Sequence, residues 1–151
     1  MKTFEKVNDI LDFAIEQEQN AVDFYSELAE KARTADMRKV FEEFAKEEIS
    51  HKARLVQIQL DGIMTLTEEK VHDLKIADYT VADMNTTDLS YEEALKLAMN
   101  KEKAAFKLYT ALAERVNNEE LKKIFQLLAI EESKHKLRFE VEYDEFVLRE
   151  N

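Results

Sequence analysis

Four glutamates and two histidines stand at positions where the core face of a helix should carry apolar side chains. On two predicted helices a glutamate precedes a histidine by three residues, which places both side chains on one helix face, about 5–6 Å apart at Cβ. Carboxylate and imidazole groups at this spacing can share a metal ion, and they suit iron, manganese and zinc alike. The candidate metal ligands are Glu18, Glu48, His51, Glu102, Glu132 and His135.

A single Glu-x-x-His pair is weak evidence for a metal site, because such pairs most often lie on solvated helix faces. Here both pairs fall on an apolar stripe, and each of the two other helices places a glutamate at its own core position. Four buried carboxylates without counter-charge would cost many kcal/mol, whereas two divalent ions supply four positive charges. This ligand pattern matches the two-metal sites of ferritin-like bundles. The sequence therefore predicts two metal ions, with Fe as the first candidate and Mn or Zn as alternatives.

The chain contains an internal repeat. A shift of 84 residues aligns residues 11–55 with 95–139, and 16 of the 45 aligned positions are identical. Each candidate ligand of the first half aligns with a candidate ligand of the second half. Apolar residues in each unit recur at steps of three and four, as on the buried face of a helix. The repeat therefore indicates two copies of one helical hairpin that pack face to face.

Capping signals divide the chain into four helices. Ser90 begins a capping box, while Thr34 and Asn118 are the expected N-caps of the second and fourth helices. Gly62 suits the residue that ends the second helix. The predicted helices span 3–32, 35–61, 91–116 and 119–148, and the hairpins 3–61 and 91–148 are joined by a crossover over 62–90.

These features predict an all-α fold, a ferritin-like four-helix bundle made of two repeated helical hairpins joined by one long crossover. The chain has one glycine and no proline, so it can make few tight turns. Its length of 151 residues suits one core, and we expect a single domain over residues 1–151.

Composition narrows the possible partners. The net charge of −11 repels nucleic acid and anionic membrane surfaces, and no apolar run approaches the ~18 residues needed to span a bilayer. The N-terminus lacks the apolar stretch of a signal peptide. We therefore expect a cytoplasmic protein with no nucleic acid or membrane partner. Because the chain has no cysteine, any redox chemistry must rest on nitrogen and oxygen ligands.

Two tyrosines stand near the candidate ligands. Tyr25 and Tyr109 follow Glu18 and Glu102 by seven residues, two turns along the same face, and their side chains should lean toward the metal layer. We expect each phenol to hydrogen-bond a ligand carboxylate and so to support catalysis. The alternative is a pair of ordinary core tyrosines.

Other residues near the stripe carry weaker signals. Glu47 and Glu131 match across the repeat but lie one residue off the stripe, which favours a solvated or ligand-supporting role over ligation. His72 matches no repeat position and is interpreted as a surface histidine. Four alanines flank the ligands of the first and third helices, where they either leave room for metal and a small oxidant or are simply good helix formers. These alanines are Ala14, Ala21, Ala98 and Ala105.

The pattern Glu-x6-Tyr followed by Glu-x2-His, stated twice, resembles the rubrerythrin family over nearly the whole chain. The resemblance implies a ferritin-like fold, a non-haem di-iron centre that reduces hydrogen peroxide or oxygen, and a homodimer. It also implies that Glu48 and Glu132 bridge the metals. By the same resemblance, Glu18 and Glu102 would bind one metal each.

Two departures from that family bear on activity. Full-length rubrerythrins add a cysteine-rich rubredoxin domain, and this sequence has no cysteine, so electrons must come from a separate donor such as a rubredoxin-like protein. The peroxide-reducing members also carry an extra carboxylate three residues after the third-helix ligand, where this chain has Ala105. The metal site is unaffected, but efficient peroxidase activity is not expected.

Three functions are compatible with these features. The first is a di-iron oxidoreductase that reduces peroxide or oxygen with electrons from a separate donor. The second is an iron-binding, iron-handling protein without sustained catalytic turnover. The third is a helical interaction module with a structural metal, which the open coordination positions left by six ligands on two ions argue against.

Overall fold

The fold is a bundle of four long helices, as predicted. A computed structural model describes residues 6–61, 79, 81 and 89–150, except for the side chains of residues 7, 149 and 150. The predicted helix ends agree with the observed ones to within two residues where both are described. No helix among these residues combines the length and apolar content needed to cross a membrane. The helices are α1 (Val7–Lys31), α2 (Ala35–Leu60), α3 (Tyr91–Arg115) and α4 (Glu119–Glu150).

The three predicted N-caps are present. Thr34 and Asn118 each accept a hydrogen bond from the backbone N–H three residues further on, at 3.1 and 2.9 Å. Ser90 accepts from the N–H of Glu93 at 3.1 Å, and the Glu93 carboxylate accepts from the N–H of Ser90 at 3.3 Å, which completes the capping box. The predicted end of the second helix at Gly62 lies outside the described residues.

The helix directions follow from the loops and from contacts between hairpins. Three-residue loops join α1 to α2 and α3 to α4, so each hairpin is antiparallel. Between the hairpins, Tyr25 contacts Glu102 while Tyr109 contacts Glu18, so α1 and α3 also run in opposite directions. Helices α2 and α3 therefore run in the same direction, as a bundle with one long crossover requires.

Apolar side chains fill the bundle on both sides of a central polar layer. Leu55 and Phe125 lie in one cluster and Phe41 and Phe139 in the other, all of them fully buried. The second cluster is rich in aromatic rings, and those of Phe41 and Phe139 stack with centroids 5.7 Å apart. Because the repeat aligns Leu55 with Phe139, the two ends of the bundle differ in their packing.

Glu142, which interrupts the apolar stripe of α4, is buried at this aromatic end. The hydroxyl of Tyr91 donates a hydrogen bond to its Oε2 atom at 2.7 Å. The repeat aligns Glu142 with Ile58, so this pair belongs to the second hairpin alone. The other oxygen, Oε1, is buried without a hydrogen-bond partner within the described parts of the chain. The phenol therefore offsets part of the cost of burying this carboxylate.

Replacing Tyr91 with phenylalanine should lower the free energy of unfolding by about 1–3 kcal/mol, because it removes a donor from a buried acceptor. Urea denaturation followed by circular dichroism measures the loss. Tyr143→Phe is the matched control, since the Tyr143 hydroxyl lies 3.4 Å from the partly exposed Glu92 and should matter less. Equal losses in both variants would contradict the role assigned to the Tyr91–Glu142 pair.

Candidate metal centre

The six predicted ligands converge in the middle of the bundle. Each comes from a central turn of its helix, and the exposed fraction of each side chain lies between 1% and 5%. The two hairpins contribute equivalent residues, because the repeat places the same ligand set on α1 and α2 as on α3 and α4. The structure therefore assembles one buried polar layer from both halves of the chain.

The candidate ligand atoms form two overlapping groups. In each group they all lie within 4.8 Å of one another. Glu48 and Glu132 belong to both groups and therefore stand between the two possible metal positions. Carboxylate oxygens with one imidazole nitrogen per group suit divalent iron, manganese or zinc. The groups are Glu18, Glu48, His51 and Glu132, and Glu48, Glu102, Glu132 and His135.

Each imidazole is oriented by a carboxylate outside the layer. The Nδ1 atom of His51 lies 2.8 Å from Glu132 Oε1, while its Nε2 atom lies 2.5 Å from Glu131 Oε2. Glu47 contacts Nε2 of His135 in the same way, and Nδ1 of His135 lies 2.9 Å from a carboxylate oxygen of α2. Because a carboxylate accepts the Nε2–H bond, the Nδ1 lone pair is left for a metal. The two outer glutamates therefore support ligands, one of the roles predicted for them.

Unpartnered atoms point into the centre of the layer. One side-chain oxygen or Nδ1 atom of each of the six residues is buried without a hydrogen-bond partner within the described parts of the chain. Buried polar groups in native proteins are normally satisfied, and a set of converging unsatisfied acceptors fits a bound cation. The donor set therefore fits two metal ions.

The two predicted tyrosines bond carboxylates of the opposite hairpin. The Tyr25 hydroxyl donates to Glu102 Oε1, and the Tyr109 hydroxyl donates to Glu18 Oε1. Burial raises the pKa of each phenol well above its usual value, and the neighbouring carboxylate charge raises the pKa further. Both phenols therefore remain protonated donors that hold a ligand carboxylate in position.

The carboxyl groups differ in how readily they ionise. Burial raises the pKa of Glu48 and Glu132 well above the usual value, and the charges of Glu18 and Glu102 respectively raise it further. Burial also opposes ionisation of Glu18, but hydrogen bonds with Glu48 and His51 outweigh it and lower the Glu18 pKa. The two shared glutamates are therefore the groups that most need a cation before they can ionise.

The pKa values of both imidazoles are raised, as expected for histidines among carboxylates. Burial opposes the charged form of each imidazole, yet the hydrogen bonds that its N–H groups donate to carboxylates outweigh this effect. The pKa of His135 rises to about 9, and the pKa of His51 also rises. In the metal-free chain, protons on these groups offset the carboxylate charge, and metal binding must displace them.

A small cavity lies against the layer between α1 and α3. Its volume is about 40 Å³, larger than the ~10–15 Å³ that one water requires. Ala21 and Ala105, which the repeat aligns, both line it, whereas Ala14 and Ala98 are fully buried in the core clusters. The position of Ala21 and Ala105 fits the interpretation that alanine leaves room beside the candidate ligands. Ala14 and Ala98 lie in the closely packed core instead.

The opposite side of the layer opens to solvent between α2 and α4. A groove of about 520 Å³ reaches both histidines and is lined by the supporting glutamates Glu47 and Glu131. Phe44 stacks on the ring of His135 with centroids 4.2 Å apart, which fixes that imidazole from one side. The centre thus has a small enclosed side and an open side with polar walls.

Sequence patterns did not reveal every residue at the site. Tyr79 and Val81 line the small cavity but come from the crossover, where no periodicity places them. Phe44 was part of the predicted apolar stripe, yet nothing in its spacing indicated stacking on His135. The histidine at position 72, interpreted as a surface residue, lies outside the described residues.

Together the fold and the site define a ferritin-like bundle whose buried carboxylate and histidine cluster fits two metal ions. The family model described as Rubrerythrin matches residues 9–143, a range that contains all six candidate ligands. The chain belongs to the rubrerythrin family. No curated protein sequence matches the chain significantly.

Solved structures share the fold. A Thermotoga maritima protein described as ferritin-like and diiron-carboxylate superposes with a TM-score of 0.83 at 23% identity, covering 96% of this chain and 99% of its own. A hypothetical protein from Pyrococcus furiosus gives a TM-score of 0.70 at 26% identity, covering 91% and 88% respectively. A conserved hypothetical protein from Mycobacterium tuberculosis gives 0.66 at 14% identity, covering 88% and 93%.

We expect two metal ions per chain, because the two ligand groups are equivalent and share two glutamates. Reconstitution with ferrous iron under anaerobic conditions, followed by metal analysis, measures the stoichiometry. Glu48→Ala should lower the metal content, since it removes a member of both groups, whereas Glu43→Ala in the outer groove should not. One ion or none in the reconstituted wild type would contradict the two-metal interpretation.

The metal-free protein should lose stability as the pH rises from about 6 to about 9. The folded-state pKa of both histidines and of both shared glutamates lies above the unfolded value. Stability from such groups is present below the unfolded pKa and is lost as the pH passes through the folded pKa. The lowered pKa of Glu18 acts oppositely, but only in the acid range, as the pH falls below its unfolded value.

Metal-loaded protein should melt at a higher temperature and depend less on pH, because bound metal stabilises the folded state and replaces the protons. Differential scanning calorimetry across that pH range, with and without metal, tests both statements. Identical melting curves for the two forms would show that the carboxylates do not depend on a cation.

Proposed function

We propose that the protein is a di-iron oxidoreductase that reduces hydrogen peroxide or oxygen with electrons from a separate one-electron donor, such as a rubredoxin-like protein. The observation that carries this proposal is the enclosed cavity beside a two-metal ligand set. Each group offers four protein ligands, which would leave open coordination positions on six-coordinate iron. The cavity, at about 40 Å³, has room for a small oxidant such as oxygen or hydrogen peroxide beside the candidate ligands.

Each ligand has a role under this proposal. Glu18 and His51 would hold one ion, while Glu102 and His135 would hold the other. The two shared glutamates, which belong to both ligand groups, would contribute to both positions. Iron at these positions would bind the oxidant and deliver electrons to it.

Residues that contact the candidate ligands hold them in position and keep protons near the polar layer. Tyr25 and Tyr109 hold the terminal carboxylates from opposite hairpins, and their raised pKa keeps a proton on each phenol oxygen. Glu47 and Glu131 hold the imidazoles with Nδ1 toward the metal layer. Reduction of one peroxide to two waters consumes two electrons and two protons, and the solvent-facing groove gives protons a way to reach the layer.

A second candidate is an iron-handling protein that oxidises or stores iron without sustained turnover. The open groove favours it, because the exposed carboxylates of Glu43, Glu47 and Glu131 line a path from solvent to the histidines. An enzyme that must be loaded with metal would need the same groove, so the groove does not distinguish the two functions. Sustained catalytic turnover does distinguish them.

The test is steady-state consumption of hydrogen peroxide and, separately, of oxygen by protein loaded with iron under anaerobic conditions, in the presence of a reduced one-electron donor. An oxidoreductase consumes at least one of the two oxidants in many-fold excess over its iron, and the Glu48→Ala variant does not. If consumption of both oxidants stops once the bound iron has been oxidised although reduced donor remains, the protein handles iron and the enzymatic proposal fails.

Ala105→Glu should raise the peroxide rate several-fold relative to the oxygen rate. Ala105 lines the cavity one turn after Glu102, where the peroxide-reducing relatives that this chain resembles carry a further carboxylate. A glutamate there could bind one iron, at the cost of burying another acidic group. Single-turnover oxidation of the diferrous protein with each oxidant measures the ratio.

Ala105→Gln is the matched control, because it fills the same volume without a ligand charge and should not raise the ratio. Both variants must first be shown to hold two irons. A wild type that already reacts with peroxide orders of magnitude faster than with oxygen would show that Ala105 is no handicap.

A further inference from the structure

A connected series of aromatic rings leads away from the metal layer at one end of the bundle. Tyr25, which bonds the candidate ligand Glu102, packs against Phe139 with ring centroids 5.2 Å apart. Phe139 stacks on Phe41 at 5.7 Å, and Phe41 packs edge to face against Tyr91 at 6.3 Å. These separations are typical of packed aromatic pairs, so each ring contacts the next from the layer to Tyr91.

A second branch of the series starts at a candidate ligand. The ring of Phe44 stacks on His135 at 4.2 Å and packs against Phe139 at 5.3 Å. Both branches join at Phe139, which is fully buried. Beyond it the series ends at the partly exposed rings of Tyr91 and Phe146, 5.3 Å apart. The rings therefore connect the buried layer to the protein surface.

The repeat shows that the bundle can be packed without such a series. At the positions aligned with Phe139, Phe44 and Tyr91, the other half of the repeat has the aliphatic residues Leu55, Leu128 and Val7. Tyr109 still stacks on Phe125 at 6.3 Å, but aliphatic residues occupy the aligned positions beyond this pair. The fold itself therefore does not require the connected rings.

Tyr91 differs from the two phenols of the metal layer in its proton acceptor. Its hydroxyl donates to Glu142 Oε2 at 2.7 Å, and Glu142 is only 1% exposed. Tyr25 and Tyr109 donate instead to candidate metal ligands, whose lone pairs a bound metal would occupy. Glu142 is not a candidate ligand, and its Oε1 atom has no hydrogen-bond partner among the residues that the structure describes. Its carboxylate is therefore placed to accept the phenol proton.

A placed acceptor matters because a phenol loses an electron most readily when its proton leaves at the same time. The chain has neither tryptophan nor cysteine, so tyrosine is the side chain that is most easily oxidised by one electron. Tyr91 combines a carboxylate acceptor with ring contacts that reach the metal layer. These are the two features that a redox-active tyrosine needs.

The proposed chemistry creates a use for such a residue. Reduction of peroxide to two waters needs two electrons, whereas the proposed donor delivers one at a time. A centre that holds a single reducing electron would convert peroxide into water and a hydroxyl radical beside its own ligands. A second electron from the protein would prevent this.

We propose that Tyr91 is an electron-relay residue, which supplies the second electron when the metal centre can supply only one. This proposal rests on the proposed function. The electron passes through Phe41 and Phe139 to the metal layer, the O–H bond of Tyr91 breaks, and the proton moves to Glu142. Peroxide receives one electron from the centre, one from Tyr91 and two protons from solvent, and it leaves as two waters. The donor then reduces the tyrosyl radical, and Glu142 returns the proton.

The first test uses the metal-free, full-length protein, so its result does not depend on the proposed function. Flash-generated ruthenium(III) tris-bipyridine oxidises tyrosine by one electron, and transient absorbance measures the tyrosyl radical. Tyr91→Phe should lower the radical yield several-fold, and Glu142→Gln, which keeps the shape but removes the base, should slow radical formation several-fold. Tyr143→Phe is the matched control, because its hydroxyl lies 3.4 Å from the partly exposed Glu92.

The second test uses iron-loaded protein that has been partly oxidised, so that each centre retains one reducing electron on average. After mixing with peroxide without donor, freeze-quench electron paramagnetic resonance should detect a tyrosyl radical in the wild type and in Tyr143→Phe, but not in Tyr91→Phe. Circular dichroism and metal analysis check that each variant folds and holds two irons.

The outcomes separate the relay from the proposed function. A radical that persists in Tyr91→Phe, no radical in the wild type, or a rate of radical formation unchanged by Glu142→Gln would each overturn the relay. Sustained peroxide consumption in a protein that forms no Tyr91 radical would overturn the relay and leave the proposed function intact. Failure of the proposed function is detected separately, as the absence of sustained turnover in the wild type.

Discussion

The structure depends on burying four carboxyl groups and two imidazoles in an apolar bundle. Their partners come from the opposite hairpin: Tyr25 bonds Glu102, and His51 bonds Glu131. A single hairpin would leave these groups either solvated or unsatisfied, and an unsatisfied buried group costs about 1–3 kcal/mol. The polar layer therefore determines how the two hairpins pack against each other. The same contacts between hairpins are needed for the fold and for the site.

Away from that layer the two hairpins are free to differ. Leu55 aligns with Phe139 and Ile58 with Glu142, so one end of the bundle is richer in aromatic rings and also holds a buried Tyr91–Glu142 pair. The layer permits little change, because each ligand is tied to a partner across the bundle. The apolar clusters tolerate more substitutions, since different combinations of side chains can fill the same volume.

Sequence reasoning located the six residues of the polar layer because a charged residue on an apolar stripe is a strong anomaly, and the repeat contains that anomaly twice. It also located Ser90 and Thr34, whose capping chemistry is local. It could not assign the partner hairpin of each tyrosine, which depends on how the hairpins are placed. Tyr79 was missed because no periodicity relates the crossover to the helices. Glu142 was seen only as a break in the stripe, since its partner lies 51 residues away.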